Sequence, residues 1–423
     1  MLRKISFAAF FVGFSFTLYN FAFFVGKNAV NVPFWDQWGL IDILTRKTNL
    51  WELFRFQHNE HRIGIGLIIT IFLAKISHWS QILEIKFISF LIISSSLIIL
   101  YLKYIINKKI EILNLIIPLI FLNIFQFENI DWGFQISFVL PLFFFCVWLL
   151  ATRIKDTNKR NIAMTALSFF SAYSSFHGLI LPILSIGYLA YNFIKCRQEK
   201  LTSVFMFVLL NILTIASFFV NYKKNFQTNP ISSISWQTLK YFSLALSNGF
   251  FYSLNSPVIN YSLAFIVLSF LLYGVFKIIT KEKASLNSLV GVILILFSLA
   301  FIFIITIGRS TFGIEQALAS RYVTFTMLIP TGLFFIFSEM KNGIYMKIIL
   351  LLFIVYNIFF LSSSTRKHAQ AVSAGKQIVL DCYINSSPNS YSNCFKIFKL
   401  YPDEKFINSS IPKFLEIRGT SKK

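Results

Sequence analysis

The sequence predicts an all-α protein, a polytopic transmembrane bundle of about eleven spanning helices. Of its 423 residues, 56% are hydrophobic and only 13% are charged, and phenylalanine alone occurs 52 times. Apolar runs of about 20 residues, the length that crosses a bilayer core, recur from end to end. These runs are apolar throughout instead of alternating, which argues against a membrane β-barrel.

The spans follow one another along the chain with short polar connections between most of them. The first resembles a signal peptide, but its apolar run is longer than a usual signal core and lacks a clear cleavage site, so we expect a retained helix. The fifth and sixth spans are short and could be broken helices. The predicted spans are 5–25, 84–105, 110–126, 135–152, 161–176, 179–194, 201–222, 259–278, 287–308, 322–338 and 344–362.

One apolar segment, from Ile63 to Ser77, is not counted as a span. It has about 15 residues, a length that suits an interfacial or re-entrant helix better than a crossing. If it does not cross, the basic clusters between later spans fall on the same side as Arg3 and Lys4, which predicts a cytoplasmic N-terminus. These clusters are Lys103/Lys108/Lys109, Arg153/Lys155/Lys159/Arg160, Lys195/Arg197/Lys200, Lys277/Lys281/Lys283 and Lys341/Lys347.

The net charge of +22 does not indicate nucleic-acid binding, because the basic residues occur in short clusters between spans. Phosphate-binding and hydrolase motifs of soluble enzymes are absent from the sequence: there is no Walker loop, no GxGxxG after a strand and no GxSxG elbow. This argues against ATP-driven pumping and against a nucleotide-sugar donor bound by a cytosolic domain.

Two units are predicted: a transmembrane domain, 1–363, whose first outer loop is 26–83, and an extracytoplasmic tail, 364–423. The fold of the tail is not predicted. Its two cysteines, Cys382 and Cys394, could form a disulfide if the tail lies in an oxidising compartment. In the other long outer connection, 223–258, the apolar residues from Trp236 onwards indicate an amphipathic helix on the surface.

The first outer loop contains the most informative motif. It includes Asn31-Val-Pro-Phe-Trp-Asp-Gln-Trp38, and ionisable groups at a membrane boundary tend to mark function. Asp36 lies between Trp35 and Trp38. A carboxylate can take a proton from an attacking hydroxyl, and tryptophan faces can line a sugar site. The structural alternative is a helix N-cap within an interfacial aromatic belt.

The second part of this motif is Gln57-His-Asn-Glu-His-Arg62. On a helix, His58 and His61 would share a face and could bind a divalent metal with Glu60 or Asp36. Alternatively, Arg62 holds a phosphate through forked hydrogen bonds, assisted by a histidine. A polar loop that caps the following helix is the structural alternative.

Further candidates occur in later outer loops. Glu128 and Asp131, with Trp132, could bind sugar hydroxyls or supply a second acid; the alternative is a polar turn. Arg309 and Arg321 lie at span ends, where they could reach the phosphate of a lipid-linked donor at the headgroup level. Their alternative role is snorkelling at the interface.

An outer-face Asp36 after the first span, the His/Glu/Arg segment at 58–62 and an in-plane helix before the second span together resemble the GT-C superfamily of polytopic glycosyltransferases. The resemblance covers 1 to about 362. Size and topology also resemble the bacterial and phage O-antigen glucosyltransferases that change serotype. Many GT-C members have Asp-Glu at the catalytic position, whereas Gln37 follows Asp36 here, and Glu60 could supply the second carboxylate.

The resemblance implies transfer of a hexose, with glucose as the expectation, from undecaprenyl phosphate to a polysaccharide such as O-antigen at the periplasmic face of a bacterial inner membrane. The implied partners are the lipid-linked donor, the acceptor and membrane lipid, without nucleic acid. No metal ligands are assigned, and a divalent metal stays an open alternative. The catalytic candidates are Asp36, Glu60 and His61, and the substrate-binding candidates are Trp35, Trp38, His58, Arg62, Glu128, Asp131, Trp132, Arg309 and Arg321.

Two other functions are compatible with the sequence. An O-antigen polymerase or ligase would also combine many spans with outer arginines. A flippase or transporter would need polar groups buried in the middle of spans, where Asn123 and Asn211 are the main amides.

Overall fold

The computed structural model describes residues 2–46, 48–196, 200–223, 235–251, 256–280 and 285–419. Within these ranges, ten helices are long and apolar enough to cross a membrane. Strand structure in the described part is confined to a short hairpin, β1 (Gln57–His58) and β2 (His61–Arg62). The predicted class, an all-α multi-pass membrane protein, is confirmed.

Short 3-10 turns extend several helices, so that spans such as Ile112–Ile130 and Gly133–Ala151 are composite. The helices are α1 (Leu2–Asn28), α2 (Ile41–Thr45), α3 (Leu50–Phe54), α4 (Gly64–Ser77), α5 (Gln81–Asn107), α6 (Ile116–Phe121), α7 (Phe127–Ile130), α8 (Ile136–Ala151), α9 (Thr157–Ala172), α10 (Ile180–Tyr191), α11 (Leu201–Phe219), α12 (Trp236–Asn248), α13 (Pro257–Thr280), α14 (Leu286–Arg309), α15 (Val323–Thr326), α16 (Leu328–Phe337), α17 (Gly343–Asn385), α18 (Tyr391–Ile397) and α19 (Glu404–Ile417).

The connections fall at two ends of the bundle. At one end, called the basic end, the backbone N–H of Ile112 donates to Ser6 Oγ at 3.1 Å, and Lys195 donates to the carbonyl of Ile279 at 2.8 Å. The N-terminus therefore lies at the same end as basic connections between later spans, as the charge pattern predicts. The other end, called the loop end, carries the first loop and the tail.

The predicted span 161–176 corresponds to α9, which has only 16 residues and is about 24 Å long. It still joins the two ends of the bundle. Thr152, before α9, accepts a bond from Tyr188 near the end of α10, while Tyr173, after α9, accepts the N–H of Ile65 in the first-loop region at 3.0 Å. α9 is not among the ten helices that are long and apolar enough to cross a membrane, so the eleventh predicted span stays a prediction.

The segment 63–77 forms α4, and both of its ends lie at the loop end. Its first turn contacts Tyr173, and Trp79, just after its last turn, packs edge-on against Trp38 with 6.4 Å between ring centroids. Gly66 allows α4 to approach α8 closely, because a Cβ there would collide with Ser137. The expectation that this segment does not cross agrees with these contacts.

The tail is continuous with the last span. α17 has 43 residues and passes through the predicted boundary at 363 without a break. Past residue 363, Cys382 of α17 and Cys394 of α18 form a disulfide with 5.6 Å between their Cα atoms. α18 and α19 then fold back onto the first loop, where Phe414 packs against Trp38 at 5.3 Å.

The amphipathic helix predicted in the outer connection is α12. Its second half is more deeply buried than expected of a surface helix: Tyr241, Leu244 and Leu246 are buried against the bundle, whereas Trp236 is exposed. Residues 224–234 and 252–255 of that connection lie outside the described residues.

Candidate functional site

The segment 57–62 is an antiparallel hairpin, in which His58 and His61 are directly opposed. Its turn places Asn59 at φ 50, a left-handed conformation that asparagine adopts more readily than most residues. The helical arrangement predicted for the two histidines is therefore wrong. They share a face all the same, because opposed residues of two paired strands project to one side of the hairpin.

Arg62 fixes this hairpin to the end of α11. Its side chain is buried, and its guanidinium donates to the carbonyls of Phe218 at 2.6 Å, Arg55 at 2.7 Å and Val220 at 2.6 Å. The role that the structure gives Arg62 is thus structural and differs from the phosphate contact that the sequence predicted. Its donors are already engaged by three backbone acceptors, so they are not available to a phosphate.

Asp36 lies in the first turn of a 3-10 helix, Trp35–Leu40. Its Oδ2 is 3.6 Å from Nε2 of His58, and its side chain is 39% exposed. The Nε2 atom of His58 is buried and makes no hydrogen bond within the described part of the chain. The imidazole packs edge-on against Phe134 at 5.1 Å. The result is a partly exposed carboxylate beside an imidazole nitrogen at ion-pair distance.

Glu60, at the tip of the hairpin, pairs with Arg309 at the end of α14 and lies 3.5 Å from Nε2 of His61. The hydroxyl of Tyr222 donates to the Glu60 carbonyl at 3.0 Å. Burial raises the pKa of Glu60, but His61 and Arg309 lower it by more, so its pKa lies below the usual value. Glu60 is therefore an ionised counterion of Arg309.

His61 is held by the segment that precedes α10. Its Nδ1 accepts the backbone N–H of Phe176 at 3.2 Å and lies 3.1 Å from the Ser175 hydroxyl. With Nδ1 as acceptor, the ring proton of the neutral form resides on Nε2, which faces Glu60. Burial lowers the pKa of His61 to about 4, so the ring is neutral at pH 7. At pH 7, His61 can orient Glu60 but does not add positive charge; its charge lowers the pKa of Glu60 only at acidic pH, where the ring is protonated.

Arg321 and Glu128 form a second ion pair near the first. The backbone N–H of Arg321 donates to Glu128 Oε2 at 3.0 Å, and its guanidinium is 3.6 Å from Oε1. Both side chains are about one-third exposed. Arg309 ends α14 and Arg321 lies in the 3-10 turn Ser320–Tyr322 before α15, so the two arginines bracket the same connection at the loop end.

Two predicted sugar-binding residues are inaccessible in this structure. Trp38 is fully buried, and Asp131 is buried in an ion pair of 2.6 Å with Lys376 of α17. Trp132 is partly buried between other aromatic rings. Trp35, by contrast, is 45% exposed beside Asp36. Of the three predicted tryptophans, Trp35 is thus the best placed to contact a sugar.

The structure also brings together residues that the sequence did not single out. Gln37 donates to the Glu84 carboxylate at 2.5 Å, and both side chains are buried. Gly133 covers this pair, and a Cβ there would collide with Glu84. Glu84 lies in the first turn of α5, and an acidic residue in the first turn of an apolar span was the signal that the sequence offered. Ser175 and Tyr222, which hold the hairpin, gave no comparable signal.

In the described ranges, no three or more His, Cys, Asp or Glu side chains are grouped to hold a metal ion. The chain has no significant match among protein-family models, curated proteins or solved structures. Its fold and side chains define a class: a multi-pass helical membrane protein with an acid, histidine and arginine cluster at one end of the bundle.

Proposed function

We propose that this protein is a membrane glycosyltransferase of the GT-C type. It transfers a hexose from undecaprenyl phosphate to a surface polysaccharide such as O-antigen. The observation that carries this proposal is the placement of Asp36: a partly exposed carboxylate, 3.6 Å from His58, at the bundle end that also carries Arg309 and Arg321.

In the proposed reaction, a hydroxyl oxygen of the acceptor attacks the anomeric carbon while Asp36 takes the hydroxyl proton. The new glycosidic bond forms as the bond from the anomeric carbon to the phosphate oxygen breaks. The leaving group is the lipid phosphate, whose negative charge needs nearby cations more than a proton. Arg309 and Arg321 supply that charge, and each guanidinium has further N–H donors beyond those engaged by its carboxylate partner.

The remaining residues have supporting roles in this proposal. Glu60 and His61 hold Arg309 in place, and Trp35 offers an open aromatic face to a sugar ring. Arg62 keeps the hairpin in register against α11. Neither Asp131 nor Trp38 is assigned to substrate, since both are buried.

The proposed sidedness has support from the tail. A disulfide between Cys382 and Cys394 is typical of an oxidising compartment, and the tail packs on the first loop. Together with the basic residues at the other end, this favours a periplasmic loop end and a cytoplasmic N-terminus in a bacterial inner membrane.

The mid-span amides do not favour transport. Asn211 donates to the carbonyl of Phe207 in its own helix at 2.8 Å, and Asn123 donates to the nearby carbonyl of Ile120 at 2.5 Å. Both side chains are buried. The amide N–H groups therefore bond within the protein, although both amide oxygens are buried without a hydrogen-bond partner among the described residues.

Asp36→Asn is the decisive variant. In liposomes supplied with hexosyl undecaprenyl phosphate and acceptor, we expect the initial transfer rate to fall by about 10²–10⁴-fold, the usual contribution of a general base. The matched control is Asp42→Asn, an exposed acid of the same loop paired with Lys413, which should stay within about twofold because exposed pairs contribute little.

Full activity in Asp36→Asn, with equal membrane insertion, would refute the assignment of the base. Mass and linkage analysis of the product identifies the reaction. One added hexose per repeat supports glycosyl transfer, whereas unchanged repeats with altered chain length would instead indicate a polymerase or ligase.

A further inference from the structure

We infer that the C-terminal tail is a positioning element of the Asp36 site, and that Lys376 is its central positioning residue. The inference rests on the proposed function for its kinetic consequence, but the docking itself can be tested without activity. It assigns a role to the tail and to Asp131 that the sequence did not indicate.

The backbone directly before Asp36 is held by the tail in an unfavourable conformation. Trp35 has φ 47, in the left-handed region that residues with a Cβ rarely adopt. Its N–H donates to the carbonyl of Leu400 at 2.8 Å. Such conformations persist where surrounding contacts determine them, and they cluster at functional sites. Here one of the determining contacts comes from the tail.

The residue before Trp35 is held by Lys376. The Lys376 ammonium lies 4.4 Å from the ring centroid of Phe34, and it donates to Asp131 at both the carboxylate (2.6 Å) and the carbonyl (2.9 Å). Phe34 also stacks on Phe398 of the tail at 6.0 Å. Because Lys376 and Asp131 are both buried, this contact is not screened by solvent.

The loop on either side of these residues is held in the same way. Arg418 donates to the carbonyl of Asn31 at 2.6 Å, and Phe414 packs edge-on against Trp38 at 5.3 Å. The tail therefore contacts the loop at 31, 34, 35 and 38, while Asp36 itself keeps its 39% exposure. A tail that only stabilised the bundle could contact the loop anywhere, whereas these four contacts surround Asp36.

The chain offers a matched pair of tail-to-loop ion pairs for the test. Lys376 with Asp131 is buried, with side chains 2% and 5% exposed. Lys413 with Asp42 also joins the tail to the loop end, but its side chains are 51% and 64% exposed. Lys376→Met and Lys413→Gln each remove one lysine of the tail, and only the first removes a contact to Phe34.

The experiment measures three quantities on the full-length protein: hydrogen exchange of peptides covering 34–40, the Kd and stoichiometry for hexosyl undecaprenyl phosphate, and kcat. For Lys376→Met we expect exchange at 34–40 to become at least about tenfold faster and kcat to fall about 10–100-fold, as for a catalytic group displaced by about 1 Å. Donor Kd should stay unchanged, and kcat is expressed per donor-binding molecule. Lys413→Gln should match the wild type in all three.

Lys376→Met leaves Asp131 buried without its partner, which is strongly destabilising. The double variant Lys376→Met with Asp131→Asn avoids that charge while still removing the contact to Phe34. It should fold and should show the same faster exchange and lower kcat.

Unchanged exchange at 34–40 in the double variant would overturn the inference. A transfer rate that falls only in proportion to the fraction of donor-binding protein would overturn it as well, since that is the signature of partial unfolding. If the wild type transfers no hexose at all, the proposed function fails, and the exchange result alone upholds or overturns the docking.

Discussion

The two ends of the bundle both contain clusters of polar and charged groups, but they use them differently. At the basic end, Lys103 is 1% exposed and donates to Asn287 at 2.8 Å and to Ser338 at 2.7 Å. Asn287 in turn donates to Glu339 at 2.8 Å. At the loop end, Asp36, 39% exposed, has only His58 at ion-pair distance, and no closer bond to its carboxylate is present among the described side chains.

This difference teaches how to separate structural from functional charges in a membrane protein. The Lys103 cluster joins the ends of α5, α14 and α16, and its ammonium, besides its two hydrogen bonds, lies over the rings of Phe334 and Phe335. The polar groups of the Lys103 cluster are hydrogen-bonded to one another, so we interpret the cluster as a stabiliser of helix packing and not as a ligand site. The loop-end groups retain exposure and unused hydrogen-bonding capacity, which substrate binding requires.

The comparison predicts its largest effect at Arg309. Arg309→Gln should lower kcat/KM for the lipid donor by about 10²–10³-fold, the cost of removing a donor aimed at developing negative charge. Arg46→Gln is the matched control, because Arg46 also pairs with a glutamate of the first loop, Glu52, but at 56% and 46% exposure. It should change kcat/KM by less than about twofold. If both substitutions changed kcat/KM by the same factor, Arg309 would be no more important than an exposed surface arginine, and the loop end would not be the donor-binding site.

The second effect belongs to the basic end. Lys103→Met keeps the length of the side chain but deprives two acceptors, Asn287 Oδ1 and Ser338 Oγ, of their lysine donor, which should lower the free energy of unfolding by about 1–3 kcal/mol. Thermal unfolding in detergent measures this change. The transfer rate per folded molecule should equal that of the wild type. A rate loss without a stability loss would show that the basic end takes part in function and would break the comparison.

The spans could be predicted because hydrophobicity is a local property of the sequence, and the placement of Asp36 and Arg309 at one end followed from counting crossings. The pairing of Glu60 with Arg309 could not be predicted, because it joins residues 249 apart in sequence. The tail lysine Lys376 was equally hidden, since its partner Asp131 is 245 residues away. Nothing local distinguishes it from the solvated lysines around it.

The hairpin illustrates a different limit. Six residues with two histidines three apart suit a short helix as well as two short strands, so the local pattern did not decide between them. The decision lies in tertiary contacts: Arg62 donates to the carbonyls of Phe218 and Val220, and Gln57 donates to that of Lys223. These acceptors lie in the last turn of α11 or just after it, and their position is not encoded near 57–62.

The smallest predicted effect is on the pH dependence of stability. It tests whether burial holds His61 of the loop end in its neutral form. Burial lowers the pKa of His61 from 6.5 to about 4, so the unfolded chain takes up a proton in this range while the folded protein does not. Stability should therefore be complete above pH 6.5 and should decrease as the pH falls towards about 4. Between pH 6.5 and about 5, where Glu60 stays ionised, the expected loss is about 1–2 kcal/mol.

His61→Asn removes this titration and should reduce, without abolishing, the dependence of unfolding free energy on pH in that interval, because the neighbouring His177 is also buried and contributes to it. His78→Asn, which changes an exposed histidine of the same end, should leave the slope as it is in the wild type. Chemical unfolding at several pH values measures both slopes. If the slope in His61→Asn is the same as in the wild type, the imidazole of His61 is not held neutral by its surroundings. The role of His61 as a neutral donor that orients Glu60 beneath Arg309 would then have to be abandoned, while the assignment of Asp36 would stand on its own test.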